Sequence, residues 1–182
     1  AFETEAESLT KTALRIDREQ FEKAVEVLSS AERIAASGCG HSGISCRHFA
    51  HLMCCIERPA RFISPAEAVH GALGFIGEGD VMVLVSRGGK TDELIPITDI
   101  CRKKGATIIT VTENLASPLA EKADIVLAMD VTKETDKYNC QGTTSFTVTN
   151  AIFDALQCAV LEYTEFQTEE FAVIHPGGAV GK

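Results

Sequence analysis

Five short apolar runs, rich in β-branched residues, constrain this 182-residue chain more than any other feature. They lie at residues 33–37, 61–64, 81–86, 107–112 and 125–129, and a turn and a helix-like pattern follow each one. A strand with one wet face alternates apolar and polar residues, whereas these runs are apolar on both alternations, so both faces must be covered. Buried strands separated by helices predict an α/β chain, a three-layer α/β/α sandwich around a five-stranded parallel sheet. The expected helices span 42–55, 66–73, 92–104, 116–123 and, longest, 144–162. Upstream, Leu9, Ala13, Ile16, Phe21, Val25 and Leu28 recur at roughly helical spacing among charges, which predicts one or two amphipathic helices within residues 1–30. The tail from residue 171 runs into His175-Pro176-Gly177-Gly178, and proline stops regular structure there. That chemistry suits a flexible end or a loop laid against something.

In an open parallel sheet, ligands sit at the carboxyl ends of the strands near a switch in strand order. Two loops at such ends carry polar chemistry. The first is Ser37-Gly38-Cys39-Gly40-His41-Ser42-Gly43, a strand turning into a helix. Its glycines let the backbone approach a ligand, Ser42 adds a hydroxyl, and the helix start adds N–H donors that suit an anion. The second, residues 86–91, places Ser86 and Thr91 after another apolar run. Together the loops predict one site for a phosphorylated ligand.

The net charge of −9 argues against a nucleic-acid or anionic-membrane surface, though not against an anionic small molecule held by loop amides. No apolar run reaches membrane-spanning length and no signal-peptide pattern is evident. The seven cysteines form no C-x-x-C pair. Cys39, Cys46, Cys54, Cys55, Cys101 and Cys158 fall among apolar residues, which predicts small buried hydrophobes in a reducing cytoplasm. His48, His51, Cys54 and Cys55 share a helix, but no tetrahedral ligand spacing is complete, so packing is expected there rather than a metal.

Five markers then occur in order: residues 38–43, Glu67-Ala68-Val69-His70-Gly71-Ala72-Leu73-Gly74, Ser86-Arg87-Gly88-Gly89-Lys90-Thr91-Asp92-Glu93-Leu94, Lys133-Glu134 with Thr143-Thr144-Ser145, and His175-Pro176-Gly177-Gly178-Ala179. Their order and spacing resemble the sugar isomerase (SIS) domain family, most of all its arabinose-5-phosphate isomerase branch. The likeness runs from about residue 33 to the end and makes the chain a single SIS domain. It implies flavodoxin-like strand order and aldose–ketose isomerisation of a sugar phosphate through an enediol, with no cofactor or catalytic metal. It also implies a homodimer or homotetramer with sites near subunit interfaces. Two departures stand out. His41 stands where that branch usually has Lys, and Gly88 where its second loop has a further hydroxyl, which Arg87 could replace as a bidentate donor. Longer relatives continue past His-Pro-Gly-Gly into a pair of CBS modules; this sequence stops at Lys182, so that pair is either absent or cut away.

Isomerisation needs a base to take a proton beside a carbonyl and groups that stabilise the enediolate or open the ring. Matched to the family motif, the candidates are Glu134, favoured as the base, with Glu93, His70 and His175, the last expected to reach a neighbouring subunit's site. Glu93 is expected in the first turn of a helix, where it could simply complement the helix dipole. Gly40, His41, Ser42, Ser86, Arg87, Gly89, Thr91, Thr143 and Thr144 are the expected substrate contacts, although Thr144 also suits a helix N-cap. A non-catalytic phosphosugar-binding regulatory module is the alternative reading.

Overall fold

The computed structural model describes residues 1–177. Five parallel strands, β1 (Ile34–Gly38), β2 (Ala60–Phe62), β3 (Val81–Val85), β4 (Thr107–Thr112) and β5 (Ile125–Ala128), form one sheet in the order β2-β1-β3-β4-β5. The order reverses between β1 and β3, so these neighbours send their following helices to opposite faces and leave a crevice between their carboxyl ends. Register levels that edge: Gly38 pairs with Val85, Val85 with Val111, and Val111 with Leu127. Cys39, Ser86, Thr112 and Ala128 therefore emerge side by side.

Alternation divides the core between the two faces. Ile34, Ala36, Val81, Val83, Val85, Ile109 and Val111 point to a layer built from α2 (Arg18–Ser30), α3 (Gly40–Cys54) and α7 (Thr144–Tyr163). There Phe49 and Phe153 meet at 4.4 Å between ring centroids, and both are fully buried. Ala35, Met82, Leu84 and Ile108 point to the other layer, which holds α4 (Pro65–Ala68), a 3₁₀ turn (Ala72–Phe75), α5 (Ile95–Lys104) and α6 (Pro118–Lys122). The N-terminal pair is α1 (Phe2–Arg15) and α2, whose N-cap Asp17 accepts a 2.9 Å bond from the Gln20 amide. Helix α1 lies on α7 and reaches the sheet edge through Ser8, Thr12 and Arg15.

Several sequence expectations shift. The helix expected over 66–73 is broken at Gly71, whose φ of 108° is left-handed, leaving α4 and the 3₁₀ turn as separate pieces. Helix α5 begins at Ile95 rather than 92: residues 91–94 close a turn through Leu94 N–H to Thr91 C=O, and Pro96 occupies the first helical turn. Glu93 consequently lies in a turn, not in a helix. The tail expected as loop is helical over Thr168–Ile174 (α8), started by a capping box between Gln167 and Glu170. Gly178 and Ala179 of the last marker lie outside the described residues.

Of the six cysteines expected to be buried, only Cys46 and Cys101 are, and burial pushes their thiols up, Cys101 to about 12. Cys54 and Cys158 are exposed, because each falls on the outer side of its helix. The face carrying His48, His51 and Cys54 is likewise exposed rather than packed. Among the described residues no group of three or more His, Cys, Asp and Glu side chains is arranged to hold a metal.

Candidate functional site

The glycine turn after β1 is set by a close approach of strand and helix. A Cβ on Gly43 would come within 2.6 Å of the Gly38 carbonyl oxygen, and one on Gly38 within 2.9 Å of the Ser42 carbonyl carbon. No side chain fits at either position. Gly40 adopts φ +55°, which turns the chain into α3. The first helical bond of α3 is Gly43 N–H to Cys39 C=O at 3.3 Å, so the amides of Gly40, His41 and Ser42 precede the ladder and face the crevice end of the helix. His41 turns toward the last strand's loop, with its ring edge-on to Phe146 at 6.1 Å and against Gly142.

The second loop folds on its own hydroxyls. Ser86 Oγ and Thr91 Oγ1 are 2.8 Å apart, and Ser86 Oγ also accepts the Gly89 amide at 3.0 Å. Gly89 has φ +66° and sits against Ser117, which leaves no room for a side chain. Ser86, Gly89 and Thr91 are thus brought together within one loop. A cleft of about 380 Å³ opens beside the glycine turn; Gly38, Cys39, Gly40, Arg47, Phe62, Ser64 and, just past the second loop, Glu93 are among its lining residues.

Arg87 goes elsewhere. Its Nε donates to Glu113 Oε2 at 2.8 Å, Nη1 to Glu134 Oε1 at 2.8 Å and Nη2 to the Val131 carbonyl at 3.3 Å. All three nitrogens serve the protein, so the guanidinium does not stand in for the hydroxyl missing at Gly88. Glu134 is only 3 % exposed. Its second oxygen accepts the amides of Thr143 at 2.9 Å and Ser145 at 3.1 Å and the Thr143 hydroxyl at 3.3 Å. Burial alone would raise the Glu134 carboxyl; the bonds from Ser145 and Thr143 and the Arg87 charge outweigh it and hold the group below its ordinary value. Glu134 therefore stays ionised at the N-terminus of α7, where the helix dipole also favours an anion.

This hub fixes the long segment between β5 and α7. Glu113 Oε1 accepts the Val131 amide, Asn139 Oδ1 accepts the Glu134 amide, and Thr143 Oγ1 accepts both the amide and the hydroxyl of Thr135. Thr143, not Thr144, is the N-cap residue, and Thr144 is fully buried with its hydroxyl unpartnered. Sequence reasoning missed Glu113, Asn139 and Arg47. Glu113 directly follows β4 at the same carboxyl edge as both loops, which was the available signal.

The two remaining histidines stand apart from these groups. His70 is exposed beside Gly71, and among the described residues its ring makes no hydrogen bond. His175 stacks on Phe171 with centroids 3.7 Å apart, and its Nδ1 lies 2.9 Å from the Phe171 carbonyl. A carbonyl only accepts, so Nδ1 is the donor in this contact.

A reversed strand order with a glycine turn and a hydroxyl loop at the reversal defines a doubly wound α/β protein with a crevice at the carboxyl ends of its strands. A family model for the SIS domain matches residues 27–159, and the chain belongs to that family. An Escherichia coli relative, arabinose 5-phosphate isomerase KpsF, is 35% identical over 179 residues, covering 98% of this chain and 56% of its own length. The chain thus spans little more than half of that curated relative. A candidate sugar-phosphate isomerase from Listeria monocytogenes superposes with a TM-score of 0.93 at 38% identity, covering 97% of this chain and 93% of that one. An Escherichia coli CFT073 protein solved in complex with arabinose 5-phosphate superposes at 0.89 with 28% identity, covering 96% and 93%.

Proposed function

We propose that this chain is a phosphosugar isomerase that interconverts an aldose phosphate and a ketose phosphate, of the arabinose 5-phosphate/ribulose 5-phosphate type, through an enediol. The observation that carries this reading is the cleft that a carboxylate, Glu93, shares with the glycine turn, two residues along the chain from the Thr91 hydroxyl that meets Ser86. Ser42, Ser86 and Thr91, with the amides of Gly40 and His41, take the phosphate. The names of the curated relative and of the solved neighbours support the choice of substrate class.

Glu93 is the better base. It is exposed in the cleft, and a base must reach the proton it removes. Glu134 is buried with both oxygens engaged, which suits positioning: it holds Arg87 and the start of α7 so that His41 and the cleft keep their places. His70 and His175 serve ring opening or proton return from a neighbouring protomer, and the contact of His175 through Nδ1 directs its Nε2 away from its own helix. Assembly into a homodimer or homotetramer is supported by an apolar groove between α2 and α7 lined by Phe21, Val25, Ala155, Ala159 and Tyr163. A reducing cytoplasm suits seven unbridged cysteines. Among the described residues no helix is long and apolar enough to cross a membrane.

The test is proton exchange. Pentose and hexose phosphates incubated with the protein in heavy water should show aldose–ketose conversion with deuterium on carbon by NMR. A phosphosugar that binds without acquiring deuterium would instead identify a non-catalytic binding module.

A further inference from the structure

We propose that Arg47 stabilises the negative charge that develops at the carbonyl end of the sugar, in the cleft it shares with the base; this rests on the isomerase reading above. Arg47 lies on α3 seven residues after Gly40, on the same side of the helix, about 10 Å along its axis. Helical side chains lean toward the N-terminus, which carries the guanidinium back toward the glycine turn. Its carbon sits 4.0 Å from the centroid of the Phe62 ring, and both residues line the cleft together with Glu93.

Stacking engages the flat face of a guanidinium and leaves its N–H donors, which lie in the plane, available. It also restricts the side chain before any ligand arrives, so little ordering remains to be done on binding. Among the described residues Arg47 has no ion pair and no hydrogen bond. The contrast with Arg87 is direct: there every nitrogen has an acceptor within the protein. An unpaired, stacked arginine in a cleft is a donor set waiting for an anion. The phosphate has its own hydroxyls and amides at the glycine-turn end, so the charge that Arg47 meets belongs to the other end of the ligand.

The chemistry creates such a charge. Glu93 takes the proton from the carbon beside the carbonyl; the C–H electron pair forms the carbon–carbon double bond, and the carbonyl π pair moves onto oxygen as an enediolate. The Glu93 carboxyl returns the proton to the former carbonyl carbon through the C=C electron pair, the hydroxyl on the neighbouring carbon passes its proton to the enediolate oxygen, and the O–H pair left behind closes the new carbonyl. Base and cation thus line one cleft without forming an ion pair with each other. A donor fixed where charge develops lowers the barrier because it needs no reorganisation during the step.

Two stable ligands separate this role from phosphate binding. Arabinonic acid 5-phosphate carries a carboxylate at the reacting end, whereas arabinitol 5-phosphate is neutral there. By calorimetry the wild type should bind the acid at least about tenfold more tightly than the alditol, the strength of a charge-assisted bond. Arg47→Met should bind the alditol as wild type does and lose the preference, and Arg47→Lys should keep part of it. Unchanged melting of both variants confirms that the fold is intact. A preference that survives in Arg47→Met overturns the inference. Equal loss of both ligands in that variant also overturns it, by assigning Arg47 to the phosphate. If neither ligand binds the wild type, the isomerase reading itself fails.

Discussion

Arg87 and Arg47 stand near the same carboxyl edge of one sheet, yet their surroundings differ. Arg87 bridges Glu113 and Glu134 and pins a loop carbonyl, while Arg47 stacks on Phe62 beside an open cleft that it shares with Glu93. Each region contains arginine and glutamate. Around β3, β4 and the start of α7, the charges meet one another and burial makes their hydrogen bonds obligatory. Around β1 and β2 they remain apart and wet. Ionised groups satisfied by the protein build the frame, and those left facing a cleft are the ones a ligand can use.

The largest expected effect probes the open side. Glu93→Gln should lower isomerisation by at least about a hundredfold, the usual contribution of a positioned base, while phosphosugar binding and melting temperature stay near wild type. Unchanged turnover in Glu93→Gln, with turnover lost in Glu134→Gln at wild-type stability, would reverse the two roles. The locked side is probed by Arg87→Met, which strands two carboxylates. That variant should lose about 2–3 kcal/mol of stability, and its Tm should fall by roughly 4–12 °C in calorimetry. A melting temperature equal to wild type would remove the frame argument.

A smaller effect is expected at the phosphate end. Ser86→Ala should weaken phosphosugar affinity by about 1–2 kcal/mol and leave the unphosphorylated sugar unaffected. Equal wild-type affinity for arabinose and arabinose 5-phosphate would contradict a phosphate site there. The least pronounced effect concerns acid. Because the folded-state Glu134 carboxyl titrates below its ordinary value of 4.5, its stabilisation is complete above that value and is lost as pH falls through the lower folded one. The difference in Tm between wild type and Glu134→Gln should therefore narrow in acid, and a difference that persists unchanged would rule out the carboxylate's charge as its source.

The contrast between the regions also explains what could be read from the sequence. Strands β1, β3 and β4 were legible because a strand buried on both faces needs an unbroken apolar run. The glycine turn and the Ser86–Thr91 loop were legible because strand carboxyl ends and hydroxyls are local features. The partners of Arg87 were not. They come from Glu113 and Glu134, 26 and 47 residues away, and only sheet register brings them to one place. A sequence shows that an arginine follows Ser86 but not which way its guanidinium turns. The later start of α5 had a visible cause in Pro96, whereas α8 depends on a Gln167–Glu170 capping box that the proline and glycines beyond it obscured.

One measurement addresses the division of the edge most directly: NMR mapping of arabinose 5-phosphate binding to the wild-type protein. The account predicts that the amides of Gly40, His41 and Ser42, those of the Ser86–Thr91 loop, and the Arg47 guanidinium N–H shift on titration. The Arg87 Nε–H and the amides of Glu134, Thr143 and Ser145 should stay in place. Movement of the Arg87 and Glu134 signals, with Arg47 and the glycine turn silent, would contradict it.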